Sequence, residues 1–129
     1  MRIRRTVMAL VAFLGLALAC RAQQESEAWD PYKAEKAVEI GRYYLKKGNY
    51  DAAIERFHDA LRFKPKFAVP HLLLGEAYEK KGMPEEALSS YEKYLEILPN
   101  AEDSAKVQKR IATLKQAVEK AKSRRKPRS

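Results

Sequence analysis

The sequence predicts an all-α fold in which two helical hairpins stack and a fifth helix covers one end of the stack. Segments 38–65 and 72–99 repeat each other at a constant offset of 34 residues, with eight identities in 28 aligned positions. A fixed period of this length indicates a repeat architecture built from one supersecondary unit per repeat. Segment 107–121 then carries a narrow apolar stripe on a charged background, as expected of a terminal cap.

The first predicted hairpin begins at Asp30, a favourable helix N-cap that is followed by proline at the first helical position. Apolar residues recur at helical spacing over about Pro31–Lys47 and again over about Tyr50–Phe63, so we expect one helix in each range. Gly48 suits the left-handed C-terminal position between them. Trp29, just before the cap, either packs back on the first turn or stays exposed in the linker.

The second predicted hairpin consists of a helix over about Ala68–Lys81 and a helix that begins at Pro84 and stops before Pro99. A last helix should begin near Asn100, which is also a favourable cap, with Glu102 and Asp103 in its first turn. Its apolar residues step by four and three positions, so it should bury one narrow face.

The residues shared by the two units resemble the tetratricopeptide repeat, a family of 34-residue helical hairpins. The family pattern of small, aromatic and proline positions is matched in the first unit by Gly41, Tyr44, Ala53, Phe57, Ala60 and Pro65. The second unit matches it with Gly75, Tyr78, Ala87, Tyr91 and Pro99. The match covers about residues 34–99, and it implies a short right-handed superhelical α-solenoid.

The resemblance also suggests how the helices pack. Gly41 and Gly75 let the paired helix approach closely, and we expect Ala53 and Ala87 to face these glycines while the aromatic residues fill the space between hairpins. The second unit departs from the pattern at Tyr94, where the family prefers alanine. We expect Tyr94 to push outwards and fill the junction with the last helix.

Members of this family bind partners on the inner face of the first helix of each repeat. That implies a groove lined by Glu35, Val38, Arg42, Leu45 and Lys46, and by Val69, Leu72, Glu76, Glu79 and Lys80. Chaperone-binding members hold a carboxylate with a Lys/Asn clamp, which is absent here because Val38 and Arg42 stand at its first-repeat positions. The implied ligand is an extended or helical peptide with a few apolar anchors. The alternative is that these residues only solvate the surface or, at Val69 and Leu72, pack.

The N-terminus has the layout of a secretory signal over residues 1–19. Arginines at positions 2, 4 and 5 precede the 13-residue apolar run Val7–Ala19, and small residues follow. The run is shorter than the roughly 20 residues that a membrane-spanning helix needs. A retained anchor and a twin-arginine signal remain alternatives.

Cys20 is the only cysteine of the chain, and it lies directly after this predicted signal. The segment Ala17–Cys20 resembles a bacterial lipobox, in which cleavage leaves a lipid-bearing N-terminal cysteine, although Ala17 stands where leucine is usual. We therefore expect an exported lipoprotein, attached to lipid at Cys20 and facing the periplasm. The alternative is an ordinary signal cut after Ala19 or Ala22, which would give a soluble periplasmic or secreted protein.

The net charge of +9 is concentrated at the two ends of the chain. Residues 20–119 hold seventeen basic and seventeen acidic residues, so the high isoelectric point does not indicate a nucleic-acid-binding face, and no nucleic-acid partner is expected. We divide the remainder into a spacer (20–30), a repeat domain (31–122, with repeats 34–67 and 68–101 and a capping helix 101–122) and a disordered basic tail (123–129). The alternatives are that the tail binds anionic lipid or nucleic acid, or that the repeats form a homo-oligomer.

The sequence offers no catalytic constellation. His58 and His71 both fall on predicted helices, with His71 at a packing position and His58 on a polar side, and no Gly-rich phosphate loop or Cys/His metal spacing is present. We therefore expect no enzyme activity, no cofactor and no metal. The sequence favours a scaffold of the bacterial cell envelope that binds another protein.

Overall fold

The computed structural model describes residues 29–125, which form five α-helices and, within that range, no strand. The helices are α1 (Pro31–Lys46), α2 (Tyr50–Phe63), α3 (Ala68–Lys81), α4 (Pro84–Ile97) and α5 (Ser104–Arg125). Helices α1 and α2 form one hairpin and α3 and α4 the next, and α5 packs on α4. The expected all-α solenoid of two hairpins and a capping helix is confirmed. The predicted signal, Cys20 and the end of the tail lie outside the described residues.

The ends of the first helices follow from the local sequence. The Asp30 carboxylate accepts the Lys33 backbone N–H at 3.0 Å, and the Asn49 side-chain oxygen accepts the Ala52 N–H at 3.2 Å. Both bonds satisfy backbone donors that the first turn of a helix leaves free. Gly82 ends α3 with φ at +78°, a left-handed conformation that glycine adopts without steric cost.

Two clusters of buried apolar side chains hold the stack together. The first joins α1, α2 and α3 around the fully buried Phe57, and the second joins α3, α4 and α5 around the fully buried Tyr91. Neighbouring hairpins therefore share a core, with α3 contributing to both clusters. No single hairpin could bury its apolar face alone.

The two helical glycines face aromatic rings rather than alanines, which corrects the packing expected from the sequence. A Cβ atom built on Gly41 would lie 2.4 Å from Cε1 of Phe57, and one on Gly75 would lie 2.5 Å from Cε1 of Tyr91. These two aromatic residues thus occupy the space inside each hairpin, directly against its glycine. The ring is large enough that the facing helix position can carry no side chain.

Helix α5 begins later than the sequence suggested. The segment before it forms turns, and the N–H of Ser104 donates to the carbonyl of Ala101 at 2.9 Å, so Asn100 does not cap the helix. Asp103 lies before the first turn, where the Tyr94 hydroxyl donates to its carboxylate at 2.6 Å. Tyr94 itself is 5% exposed and packs against α5, as expected. The first intrahelical bond runs from the Val107 N–H to the Asp103 carbonyl at 3.0 Å, so the helix starts at the residue that Tyr94 contacts.

The C-terminal boundary of α5 also differs from the expectation of a disordered segment from residue 123. The helix continues to Arg125, and the Ser123 hydroxyl donates to the carbonyl of Lys120 at 2.9 Å. Arginine is a good helix former, and cations near a helix C-terminus are stabilised by the helix dipole. The basic end of α5 is exposed on the last turns of an ordered helix.

Candidate functional site

An open cleft lies between α1 and α3. It has a volume of about 440 Å³ and is lined by Arg42, Leu45, Lys46, Gly48, Tyr50, Leu73, Glu76 and Lys80. Five of the residues expected in the groove come together here, three from α1 and two from α3. The hairpin geometry brings them together because the first helices of successive repeats lie side by side.

The cleft carries more positive than negative charge. Arg42, Lys46 and Lys80 surround it against the single carboxylate of Glu76. Among residues 29–125, none of these four side chains forms an ion pair, whereas the neighbouring Lys81 is paired with Asp51. The three basic groups are therefore available to an acidic ligand, beside the apolar surface of the partly buried Leu45.

Two of the expected groove residues are engaged in the fold instead. Val38 is only 7% exposed and belongs to the first core cluster, because it faces α2 and α3 rather than the cleft. The Glu79 carboxylate accepts the Tyr91 hydroxyl at 2.6 Å and is paired with Arg110 of α5. Neither side chain is free to contact a ligand.

The remaining expected residues lie beside the cleft without lining it. Val69 is partly buried against the first cluster and Leu72 against the second, so both side chains contribute to the packing of the core. Leu72 also borders a small crevice of about 70 Å³ between α3 and α5. Glu35 is exposed on α1.

A partly buried polar network of Tyr91, Glu79 and Arg110 joins α4, α3 and α5. Burial, together with the hydrogen bond to Glu79, raises the pKa of the Tyr91 phenol above its ordinary value. Arg110 of α5 is paired with the Glu79 carboxylate, and within the described chain no buried side-chain polar atom lacks a partner. Tyr91 therefore fills the inside of the second hairpin and also ties it to α5.

Helix α5 extends the groove, whereas the sequence predicted that this helix serves only as a cap. Lys106 and Arg110 line the crevice beside Glu76, so the surface runs across α1, α3 and α5. A signal for this was present in the sequence. Glu76 follows Arg42 by 34 residues, and Arg110 follows Glu76 by 34 residues. The repeat offset therefore already places Arg110 on the groove face with the other two.

Family models match the same part of the chain. The model described as TPR repeat matches residues 41–82, and the model described as tetratricopeptide repeat matches residues 68–101. The two matches overlap on α3 and together cover both hairpins from Gly41 onwards. The two matches support the tetratricopeptide repeat family for residues 41–101.

A solved tetratricopeptide structure has a similar fold. The TPR2AB domain of yeast Sti1, in its complex with pHSP90, matches with a TM-score of 0.66 and 25% identity over 83% of this chain, which spans 40% of the length of that one. The first TPR of Spaghetti (RPAP3), bound to the HSP90 peptide SRMEEVD, gives a TM-score of 0.43 at 22% identity, covering 70% of this chain and 97% of that one. No curated protein sequence matches the chain.

The two histidines lie away from the groove. His58 Nε2 is 3.3 Å from the Tyr78 hydroxyl, and burial lowers the pKa of the half-buried His71. Within residues 29–125, no three His, Cys, Asp or Glu side chains are grouped closely enough to hold a metal ion. None of the five helices combines the length and apolar character that crossing a membrane requires.

Proposed function

We propose that this chain is a non-enzymatic protein-interaction scaffold that binds a segment of a partner protein in the groove across α1, α3 and α5. The observation that carries the proposal is the 440 Å³ cleft, whose three basic side chains form no ion pair within the described residues. An exposed, mixed apolar and charged concavity on a rigid helical scaffold suits a peptide better than a small molecule, because it is open along its length.

The cleft also indicates the chemistry of the bound segment. Leu45 and the Tyr50 ring offer apolar contacts, and Arg42 with the two lysines offers charge-assisted hydrogen bonds to carboxylates. The ligand we propose is therefore a short segment with one or two apolar anchors next to acidic residues. The yeast Sti1 domain in its complex with pHSP90 supplies a precedent for a protein ligand on this fold.

A displayed library of random peptides tests the proposal even though the partner is unidentified. Selection on the purified protein should enrich sequences that combine acidic and apolar residues. The triple variant Arg42→Glu, Lys46→Glu, Lys80→Glu should bind the selected peptides at least about tenfold more weakly, because three favourable charge contacts become repulsive. Isothermal titration with a synthetic peptide measures the change.

The matched control is Lys66→Glu, which changes an exposed charge in the turn between α2 and α3, away from the cleft. It should leave peptide affinity unchanged. Equal binding by the triple variant and the wild type would contradict the proposal, provided that circular dichroism shows both to be folded. Val38 is not a suitable test position because it lies in the core.

We further propose that the scaffold acts in the bacterial cell envelope, tethered by lipid at Cys20. The support for this is the N-terminal sequence: a basic segment, a 13-residue apolar run and the only cysteine of the chain at its end. A tether of this kind would hold the groove near a membrane surface, where partner segments of other envelope proteins are also confined.

A further inference from the structure

Helix α1 presents an outer face that no other described element covers. Tyr32 is 76% exposed and Tyr43 is 60% exposed, and Lys36 and Glu39 lie between them. At about 100° of rotation per residue, these four side chains fall within a narrow arc on the side of the helix opposite Gly41. The face is therefore a straight stripe of about 16 Å with an aromatic ring at each end and two charges in the middle.

The opposite end of the stack is finished differently. Helix α5 buries a single apolar stripe and exposes charged residues to solvent. Five large apolar side chains remain exposed in residues 29–125, and four of them are on α1 or next to it: Trp29, Tyr32, Ile40 and Tyr43, with Leu98 elsewhere. The exposed aromatic side chains in this range are therefore concentrated at the α1 end of the stack.

The stripe is complementary to itself when reversed. Tyr32 and Tyr43 are equally distant from the point between residues 37 and 38, and so are Lys36 and Glu39. If two copies of the stripe face each other antiparallel about a two-fold axis at that point, each tyrosine meets the other tyrosine and each lysine meets a glutamate. Such a patch satisfies the condition for an isologous interface, in which the same surface serves both subunits.

We propose that a second copy of this chain packs on α1 through this stripe, to form a two-fold antiparallel dimer. Tyr32 of one copy would lie against Tyr43 of the other at both ends, and Lys36 would pair with Glu39 of the other copy near the axis. The charge pattern selects this occupant, because a segment without the reversed pattern would leave one charge facing a like charge or an apolar group.

Within one copy, Lys36 and Glu39 already pair with each other, and this pair can be replaced by pairs between the two copies. Lys36 Nζ donates to Glu39 Oε2 at 2.8 Å within one helix, with the side chains 55% and 71% exposed, so the pair is solvated and can change partner at little cost. The Tyr43 ring is held by an edge contact with Tyr44, with centroids 5.7 Å apart. Because one helix per copy buries a small area, we expect a dissociation constant on the order of 10–100 µM.

Charge exchange at the centre of the stripe is the test, measured by sedimentation equilibrium of the purified full chain in mild detergent. Lys36→Glu should place four carboxylates at the axis and Glu39→Lys four ammonium groups, so each variant alone should associate at least about tenfold more weakly. The double variant Lys36→Glu, Glu39→Lys should recover the wild-type dimer. An equimolar mixture of the two single variants should form a heterodimer, because their charges are then complementary.

Lys109→Glu on the exposed side of α5 is the control for net charge, and it should dimerise as the wild type does. A wild-type protein that stays monomeric to about 0.5 mM would overturn the proposal, and this includes the case in which residues 1–28 of the same copy cover the stripe. Dimers that ignore both single substitutions, or single variants that fail to associate when mixed, would also overturn it. The stripe contains no cleft residue, so this result is independent of the peptide-binding test.

Discussion

At the scale of single residues, the four glycines of the two repeats have two different structural roles. Gly41 and Gly75 lie on helices against the rings of Phe57 and Tyr91, where a Cβ would overlap an aromatic carbon. Gly48 and Gly82 lie at helix ends with φ near +78°, and a Cβ there would meet nothing within 4 Å. The first pair is required by packing and the second by backbone conformation.

This difference predicts that the two kinds of glycine respond differently to the choice of replacement. Gly75→Ala should lower the free energy of unfolding by about 1–3 kcal/mol, because the buried Tyr91 ring cannot move aside without overpacking its cluster. Gly82→Ala should cost about 1–2 kcal/mol for its left-handed backbone, and Gly82→Asn should cost less, because asparagine tolerates that conformation better. Urea unfolding followed by circular dichroism measures all three variants. Equal costs for alanine and asparagine at position 82 would contradict the backbone explanation.

Tyr94 links stability to alkaline pH. Its hydrogen bond to the Asp103 carboxylate, helped by burial, raises the pKa of Tyr94 to about 12 from an ordinary value near 10. In the unfolded chain the phenol loses its proton near pH 10, while the folded protein retains it until about pH 12. The contribution is therefore fully present below pH 10 and is lost as the pH rises towards 12.

The variant Tyr94→Phe isolates this contribution. At pH 7 it should be about 1 kcal/mol less stable than the wild type, because Asp103 loses its hydrogen-bond donor. Between pH 10 and 12 the difference should shrink, since only the wild type pays for keeping the phenol protonated. Urea unfolding at pH 8, 10 and 11.5 checks this. A difference that stays constant with pH would argue against a raised pKa at Tyr94.

At the scale of elements, the sequence predicted the helices that are bounded by local chemistry. The bounds of α2 and α3 agree with the expectation, and α1 ends one residue earlier, because Asp30, Asn49 and Gly82 act on neighbours within a few residues. The start of α5 could not be predicted in this way. Asp103 is held by Tyr94 from another helix, and nothing local distinguishes it from Asn100 as the residue before the helix.

The groove was predictable to the extent that the repeat offset fixes which residues share a face. Arg42, Glu76 and Lys80 do meet in one cleft. The ion pair of Glu79 could not be predicted from neighbouring residues, because its partner Arg110 lies 31 residues away on α5. The prediction that Val38 lines the groove was wrong for a different reason. Helical spacing places Val38 at the edge of the buried face, and the packing of α2 and α3 determines that its side chain lies in the core rather than in the cleft.

Helix α5 should stabilise the repeats rather than merely follow them. Leu114→Ala removes a side chain that is 7% exposed in the second cluster and should lower the free energy of unfolding by about 2–4 kcal/mol. Gln116→Ala on the exposed side of the same helix should change it by less than about 0.5 kcal/mol. Thermal unfolding of both variants provides the measurement, and similar effects at the two positions would mean that α5 is not part of the cooperative unit.

At the scale of the whole molecule, the repeat region lies between two basic ends. The chain between residues 20 and 119 is balanced in charge, while basic residues accumulate before and after it. Two repeats are few for a solenoid, and α5 adds half of a third unit. Contacts made by the ends, at α1 or through the N-terminal segment, should therefore weigh more here than in a longer array.

The proposed anchor predicts that the mature chain begins at Cys20 and carries acyl chains. Intact-mass spectrometry of the membrane fraction should give the mass of residues 20–129 plus lipid, because the signal would be removed during export. Cys20→Ser should release the protein into the soluble fraction, and Ala22→Ser should not. A mature N-terminus at Gln23, or a chain that retains Met1, would contradict the anchor.

The position of Trp29 decides what optical spectroscopy can detect in this protein. It is the only tryptophan of the chain, and its side chain is 63% exposed in the folded state. Indole emission shifts when the ring moves between water and an apolar environment, so unfolding should change it very little. Tryptophan fluorescence should therefore change too little to follow the unfolding of these repeats. The emission of Trp29 can instead detect changes around the first turn of α1, which begins two residues later, because unfolding itself hardly alters the signal.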